Sequence, residues 1–302
     1  MKRILWITIC MAPLARAAEP VGLLSRVSGD VQIVRAGATA PVAARTADLI
    51  GPGDRVLTGA NAEATFLYCP ESRAAKMTAQ SEVQFDPTAL AVKKGKLAEE
   101  RKVPTCRLPA SLVLSAASTM RAGQMRMRGS GMVLRTPSNT AVASLRPRFR
   151  WDAVENASKY EIKVTDREEH ILWKMEVSST DVEYPADATP LGWGQKYRWH
   201  ATAQGNGESL DEAGSTFQVM PADQAERVNA AAADLEKLRA ANPSDNGPVF
   251  LLAFLYEDNG MLDQAVRLYG DLAKNMGPQD WVQGRLNDLM GKLGWDKLDA
   301  PK

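Results

Sequence analysis

Residues 27–35 read VSGDVQIVR and residues 49–59 read LIGPGDRVLTG, and these two stretches decide the fold of the first part of the chain. In each stretch a Gly-Asp pair precedes a short run in which apolar and polar residues alternate. Such alternation is typical of a half-buried β-strand, and glycine and aspartate favour the tight turns that lead into strands. The pattern predicts strands over Val31–Val34 and Asp54–Thr58. The residues predicted to define the turns are Gly29, Asp30, Gly53, Asp54 and Gly59.

The placement of glycines and the alternation from Val21 to Leu108 resemble those of the FecR domain, an all-β module found outside the cytoplasmic membrane. The resemblance implies a FecR-like β domain, which we expect to occupy residues 19–145 together with a β extension. In that family the strand that corresponds to Ala64–Tyr68 leads into an Asp-Gly-Ser turn. This chain has CPES at 69–72 instead, and the departure favours a disulfide from Cys69 to Cys106 at this corner.

The first 18 residues have the pattern of a cleaved signal peptide: two basic residues, a short apolar run and an Ala-x-Ala site. Cys10 lies inside the apolar run, so lipid attachment is the alternative, but Ile7–Ile9 lack the small residues of a lipidation site. The two cysteines that remain after cleavage form an even pair, which in a secreted protein indicates a disulfide. We therefore expect a periplasmic or secreted protein, without a later apolar stretch long enough for a membrane anchor.

Two further domains are predicted, which makes the chain a mainly β multidomain protein. Short alternating segments with large aromatic residues, such as Tyr160–Val164 and Tyr197–Ala203, predict a β-sandwich over residues 146–220 that resembles a fibronectin type III or immunoglobulin-like domain. Residues 221–302 change to a helical period. The spacing of Ala253, Tyr256, Ala265 and Tyr269 resembles a tetratricopeptide (TPR) repeat, which implies a small helical module for protein interaction.

Charge is divided unevenly along the chain. Residues 1–150 hold 22 Lys and Arg against 10 Asp and Glu, whereas residues 151–302 hold 15 against 26. The basic half predicts an anionic partner, such as a wall polymer, a membrane surface or an acidic protein face, and secretion argues against nucleic acid. The candidate anion-binding residues are Lys93, Lys94, Lys96, Arg121, Arg126, Arg128 and Arg135. The alternative, which stays open, is that these charges only keep strand faces solvated.

The sequence offers little for catalysis or metal binding. His170 and His200 are its only histidines, and the spacing of Asp166, Glu168 and Glu169 is not that of a calcium loop. Trp193, between two glycines, is a candidate exposed aromatic residue. We predict no cofactor and no enzymatic activity, and hypothesise an envelope protein that binds through its FecR-like domain and its helices. A FecR-type signalling relay through a separate membrane partner is the alternative, and an envelope hydrolase is a third hypothesis.

Overall fold

A computed structural model describes residues 19–108, 131–276 and 280–295. The predicted signal peptide over residues 1–18 lies outside these residues. Within the described ranges the chain is mainly β-structure with a helical segment at its end, as the sequence predicts. No helix in these ranges is both long enough and apolar enough to cross a membrane.

The first β unit contains two five-stranded sheets that enclose one core. One sheet has the strand order β10-β7-β6-β1-β4 and the other has the order β3-β2-β5-β8-β9. The strands are β1 (Gly22–Ser28), β2 (Val31–Val34), β3 (Val42–Ala43), β4 (Leu49–Ile50), β5 (Asp54–Thr58), β6 (Glu63–Tyr68), β7 (Arg73–Met77), β8 (Glu82–Phe85), β9 (Leu90–Lys94) and β10 (Leu97–Lys102). The predicted strands Val31–Val34 and Asp54–Thr58 are confirmed, and alternate residues of both face the core.

The Gly-Asp pairs lie where the chain turns. Gly29 and Gly53 have positive φ angles of 78° and 82°, which favour glycine. The buried carboxylate of Asp54 accepts hydrogen bonds from the backbone N–H groups of Gly51 and Ala36, both at 2.9 Å. Gly59 lies so close to Asp30 that a Cβ at Gly59 would be 3.2 Å from the Asp30 carbonyl oxygen. These contacts hold β2 and β5 side by side at their turns.

The disulfide between Cys69 and Cys106 is present, which confirms the predicted pair. Cys69 begins a 3₁₀ turn, Cys69–Glu71, which ends at Ser72 in the left-handed conformation. The carbonyl of Ser72 accepts a hydrogen bond from the N–H of Val103, just after β10. The bridge therefore fastens the chain that leaves β10 to the β6–β7 corner.

The second β unit is a β-sandwich that begins before residue 146. A three-stranded sheet has the order β11-β13-β16 and a five-stranded sheet has the order β12-β18-β17-β14-β15. The strands are β11 (Leu134–Thr136), β12 (Thr140–Val142), β13 (Arg148–Trp151), β14 (Lys159–Thr165), β15 (Ile171–Val177), β16 (Asp181–Glu183), β17 (Lys196–Gly205) and β18 (Glu208–Val219). The boundary is predicted between residues 145 and 146, whereas Leu134 and Val142 are buried in the sandwich core and β11 and β12 pair with its other strands.

Large aromatic side chains fill the sandwich. The rings of Phe149 and Trp199 lie 5.0 Å apart, and the indole N–H of Trp199 donates to the carbonyl of Pro137 at 2.6 Å. Trp151 and Trp173 are buried in the same cluster. Buried aromatic residues supply much of the apolar area of such a core, which explains why their alternation marks this unit in the sequence.

In the described residues after the sandwich there are four helices: α1 (Ala222–Ala241), α2 (Gly247–Asp258), α3 (Leu262–Met276) and α4 (Asp280–Leu293). They pack against both β units. Phe250, Leu251 and other α2 residues share a core with Leu23 and Leu67 of the first β unit. Ala225 and Val228 of α1 share a smaller cluster with Ala143 and Met220 of the sandwich.

Polar contacts fix the same junctions. The buried carboxylate of Asp245, just before α2, accepts hydrogen bonds from the Ser25 hydroxyl at 2.7 Å and the Gly247 N–H at 2.9 Å, and it pairs with Arg101. On the sandwich side, the buried carboxylate of Asp263 accepts hydrogen bonds from the hydroxyls of Thr136 and Thr140. Each carboxylate thus ties the helices to one β unit.

Replacing Asp245 with alanine is expected to lower the free energy of unfolding by about 3 kcal/mol, because the mostly buried Arg101 loses its charged partner. Urea denaturation followed by circular dichroism measures the change. Asp234→Ala is the control, since Asp234 pairs with Lys237 on an exposed helix face, and it should change stability by less than about 0.5 kcal/mol. Equal effects of the two substitutions would contradict this role for Asp245.

Replacing both cysteines, as Cys69→Ser with Cys106→Ser, is expected to lower the free energy of unfolding by roughly 4 kcal/mol. Loop-closure entropy gives this magnitude for a bridge across a sequence separation of 37. The measurement is urea denaturation of the oxidised protein and of the double variant. A loss below about 1 kcal/mol would show that the bridge does not restrain the unfolded chain.

Candidate anion-binding surface

Lys93 and Lys94 end strand β9 and Lys96 lies in the turn that leads into β10, and all three lysines are exposed. β9 is the edge strand of one sheet of the first β unit and β10 is the edge strand of the other, so this turn joins the two sheets. Gly95 lies between the lysines with a φ of 77°, and a Cβ there would lie 2.7 Å from the Cα of Ser81. Only glycine fits this approach, which fixes the position of the lysines.

The acidic residues near this turn already have partners. Glu99 and Glu100 of β10 pair with Lys76 and Arg73 of the neighbouring strand β7. Across the part of the chain that the structure describes, no ion pair joins Lys93, Lys94 or Lys96 to a carboxylate. The three ammonium groups therefore present positive charge to solvent, and we call them the lysine turn.

Arg135 does not belong to the lysine turn. Its guanidinium forms a two-point contact with the Asp152 carboxylate, at 2.8 Å and 2.5 Å, and lies 5.4 Å from the ring centre of Trp295. These contacts attach the start of the sandwich to the end of the helical segment. That Arg135 binds an anion stays a prediction, and we leave Arg135 out of the lysine turn. Arg121, Arg126 and Arg128 lie outside the described residues.

Trp193 is 40% exposed and lies in the loop before β17. The N–H of the adjacent Gly194 donates to the carbonyl of Met220, at 3.0 Å. Met220 also lines a cleft of about 530 Å³ between the sandwich and the helices, whose polar lining includes Lys196, Gln218, Gln224 and Asn259. Such side chains can bind a small polar ligand through hydrogen bonds. Sequence reasoning missed this cleft because its walls come from β12, β17, β18 and the helices.

Asp166, Glu168 and His170 come together in the turn between β14 and β15. Their potential ligand atoms lie within 4.8 Å of one another. The backbone N–H of His170 donates to Asp166, and the His170 ring contacts the same carboxylate at 3.0 Å. Glu169 pairs with Arg198. This arrangement is a hydrogen-bonded turn on an exposed hairpin.

His200 lies within strand β17, partly covered by its neighbours. Gly214 lies opposite it on β18, and a Cβ at Gly214 would be 2.8 Å from the imidazole ring. Burial lowers the pKa of His200 below its ordinary value of 6.5, and the charge of Lys163 lowers it further, whereas Glu212 opposes the shift. The imidazole is therefore kept neutral in the folded protein at neutral pH.

This lowered pKa predicts a pH dependence of stability. Between the folded pKa and pH 6.5 the unfolded chain binds more protons at His200 than the folded chain, so the free energy of unfolding falls as the pH drops below 6.5. His200→Gln should remove that part of the slope, measured by urea denaturation from about pH 7.5 to about pH 5.5. His170→Gln is the matched control, because the two histidines are the only ones in the chain and His170 is exposed. A slope that both variants retain in full would contradict the assignment to His200.

Comparison with known proteins finds no matching family model and no matching curated protein. Among solved structures, an Fn3-like protein from Clostridium thermocellum is 21% identical over 30% of this chain and 95% of that chain, with a TM-score of 0.22. The FN1–FN3 domains of chicken CNTN1 are 10% identical over 68% of this chain and 60% of that chain, with a TM-score of 0.20. The β-sandwich rests on the strand pairing and the shared core described above, rather than on these alignments.

Proposed function

We propose that this protein is a non-enzymatic binding and scaffold protein of the cell envelope that contacts an anionic surface through a FecR-like domain. The observation that carries the proposal is the lysine turn, Lys93, Lys94 and Lys96. These residues are exposed and have no ion-pair partner among the described residues, whereas the carboxylates of Glu99 and Glu100 are engaged elsewhere. An anionic lipid headgroup or wall polymer would supply the missing negative charge.

The way the turn is held supports this proposal. The backbone N–H of Lys96 donates to the Ser81 hydroxyl at 3.3 Å, and Gly95 packs directly against Ser81. Three positive charges on a restrained turn lose less conformational freedom on binding than the same charges on a loose loop would lose. The FecR-like assignment agrees with the enclosed pair of sheets and with the positive φ angles of Gly29 and Gly53.

The helical segment gives the proposed scaffold its second part. The helix pair α2–α3 buries Ala253, Ala265 and Tyr269, three of the four positions that carry the TPR-like spacing, and Tyr256 is partly buried. Much of its apolar surface is covered by the first β unit of the same chain. In this proposal the helices hold the two β units together, and partner proteins contact the surface that remains. The disulfide agrees with a location outside the cytoplasm.

Replacing the lysine turn, as Lys93→Gln, Lys94→Gln and Lys96→Gln, should weaken binding to an anionic surface. Each lysine near such a surface contributes about 1 kcal/mol, so the triple variant should bind roughly 100-fold more weakly. The measurement is co-sedimentation with vesicles that contain anionic phospholipid, and separately with isolated cell wall, across a series of salt concentrations. The two arms distinguish a lipid from a wall polymer.

The matched control removes the same charge from the helices, as Arg227→Gln, Lys237→Gln and Lys292→Gln. All three side chains are exposed and pair with neighbouring carboxylates. This variant should bind like the wild type. Binding that ignores salt, or that falls equally in both triple variants, would overturn the proposal, because the effect would then follow net charge rather than position.

A further inference from the structure

Strand β15 is an edge of the sandwich, and no other strand among the described residues pairs with its outer side. It pairs with β14 on one side and ends the five-stranded sheet on the other. Three apolar side chains on it are exposed: Ile171 at 59%, Leu172 at 42% and Met175 at 41%. A free edge with exposed apolar side chains is a template for pairing with another strand, and proteins usually protect such edges with charges or irregular geometry. β15 carries charges, but their order favours one particular partner.

The regular part of β15 is Trp173–Val177. These residues pair one by one with residues 164 to 160 of β14, and the register shifts just before Trp173. The segment reads Trp-Lys-Met-Glu-Val, and Met175 is its midpoint. When this segment is laid antiparallel against a copy of itself, Met175 faces Met175, Lys174 faces Glu176, and Trp173 faces Val177. Opposite charges and apolar residues are both matched in this register, and such cross-strand pairs stabilise a sheet.

Symmetry restricts the alternatives. A twofold axis perpendicular to the sheet keeps each side chain on its own face, so Lys174 can oppose only residues of its own face. Centring the axis on Lys174 or on Glu176 would place like charges opposite each other. If the axis passed through Trp173, Lys174 would lie opposite Leu172, and Glu176 would have no lysine opposite it. The axis through Met175 alone joins both charges to a partner.

Charges on β14 extend the same pattern. Lys174 pairs with Glu161 and Glu176 pairs with Lys159, each at 2.9 Å, on the outer face of the sheet. In the twofold arrangement these diagonal ion pairs and the contact across the seam form the series Glu161, Lys174, then Glu176 and Lys159 of the second copy, although the residue directly opposite Lys174 on β14 is Lys163. Charge alternates along this series, so the new contact between Lys174 and Glu176 is attractive and no existing ion pair has to break.

We propose that β15 is a homodimer interface, in which two copies of this chain pair antiparallel about Met175 and join their five-stranded sheets. The strand that pairs with the free side of β15 comes from a second copy of this chain, because the segment is complementary to itself in charge and in apolar character. This proposal is independent of the lysine turn, which lies in the other β unit.

Sedimentation velocity of the full chain over a range of concentrations tests the interface. The wild type should form a dimer as its concentration rises. Lys174→Glu should raise the dimer dissociation constant at least about tenfold, because it places a second carboxylate opposite that of Glu176 in the other copy. The double variant Lys174→Glu with Glu176→Lys should recover most of that loss. The double variant loses the diagonal ion pairs with Glu161 and Lys159 within each chain, but its reversed charges lie directly opposite Lys163 and Glu161 of β14. The dimer equilibrium, rather than the stability of the single chain, therefore reports the contact between copies.

Cysteine crosslinking provides a second measurement that does not depend on the charged residues. Opposite Cα atoms in an antiparallel pair lie about 4.5–5.5 Å apart, which a disulfide can span. Met175→Cys should therefore form a covalent dimer on oxidation, whereas Val42→Cys, an exposed residue on edge strand β3, should not. A wild type that stays monomeric, a double variant as weak as Lys174→Glu, or equal crosslinking at both positions would overturn the proposal. A monomer that instead binds an unrelated extended peptide would also overturn it.

Discussion

The contact between helix α2 and strand β1 is the interaction on which the rest of the structure depends. Gly247 begins α2 so close to β1 and its neighbour β6 that a Cβ would lie 3.3 Å from both Ser25 of β1 and Leu67 of β6. The Asp245 carboxylate accepts hydrogen bonds from the hydroxyl of Ser25 and the N–H of Gly247, and it pairs with Arg101. Three separate parts of the chain therefore meet at one carboxylate. A buried carboxylate is costly unless its partners are in place, and this cost favours one position of the helices. Asp263 plays the same part toward the sandwich: burial raises its pKa, and the Thr136 and Thr140 hydroxyls offset part of that effect.

Local patterns in the sequence carry much of the fold. The strands at Val31–Val34 and Asp54–Thr58, the disulfide and the helical end of the chain follow from alternation, turn residues, cysteine pairing and helical period. The boundary between the two β units does not follow from such patterns. β11 and β12 are three residues long each, and a pattern in so short a segment does not show which strands it pairs with. The Ser25–Asp245 contact joins residues 220 positions apart, and nothing local to either residue indicates it. Contacts of this kind depend on how the helices and strands pack against each other once they have formed.

For the candidate anion-binding residues too, the sequence predicts one part and the packing of the folded chain decides the rest. Composition indicates a basic first half, but it cannot distinguish a lysine that faces solvent from an arginine that holds two elements together. Lys94 and Arg135 both belong to the predicted anion-binding set, yet Lys94 is exposed at the end of strand β9, whereas Arg135 is engaged by Asp152 and Trp295. The difference arises because Asp152 and Trp295 reach Arg135 only in the folded chain. Burial and charge pairing therefore have to be known before a basic residue is assigned to a surface.

The position of the lysine turn also has a mechanical consequence. Because the turn joins β9 in one sheet to β10 in the other, a pull on Lys94 acts along both strands at once. β9 is held by its ladder with β8, and β10 is held by its ladder with β7. Moving either strand along its length requires several backbone hydrogen bonds to break together, which resists force better than peeling a strand away one bond at a time. An attachment at this turn would spread load over the two sheets that enclose the core.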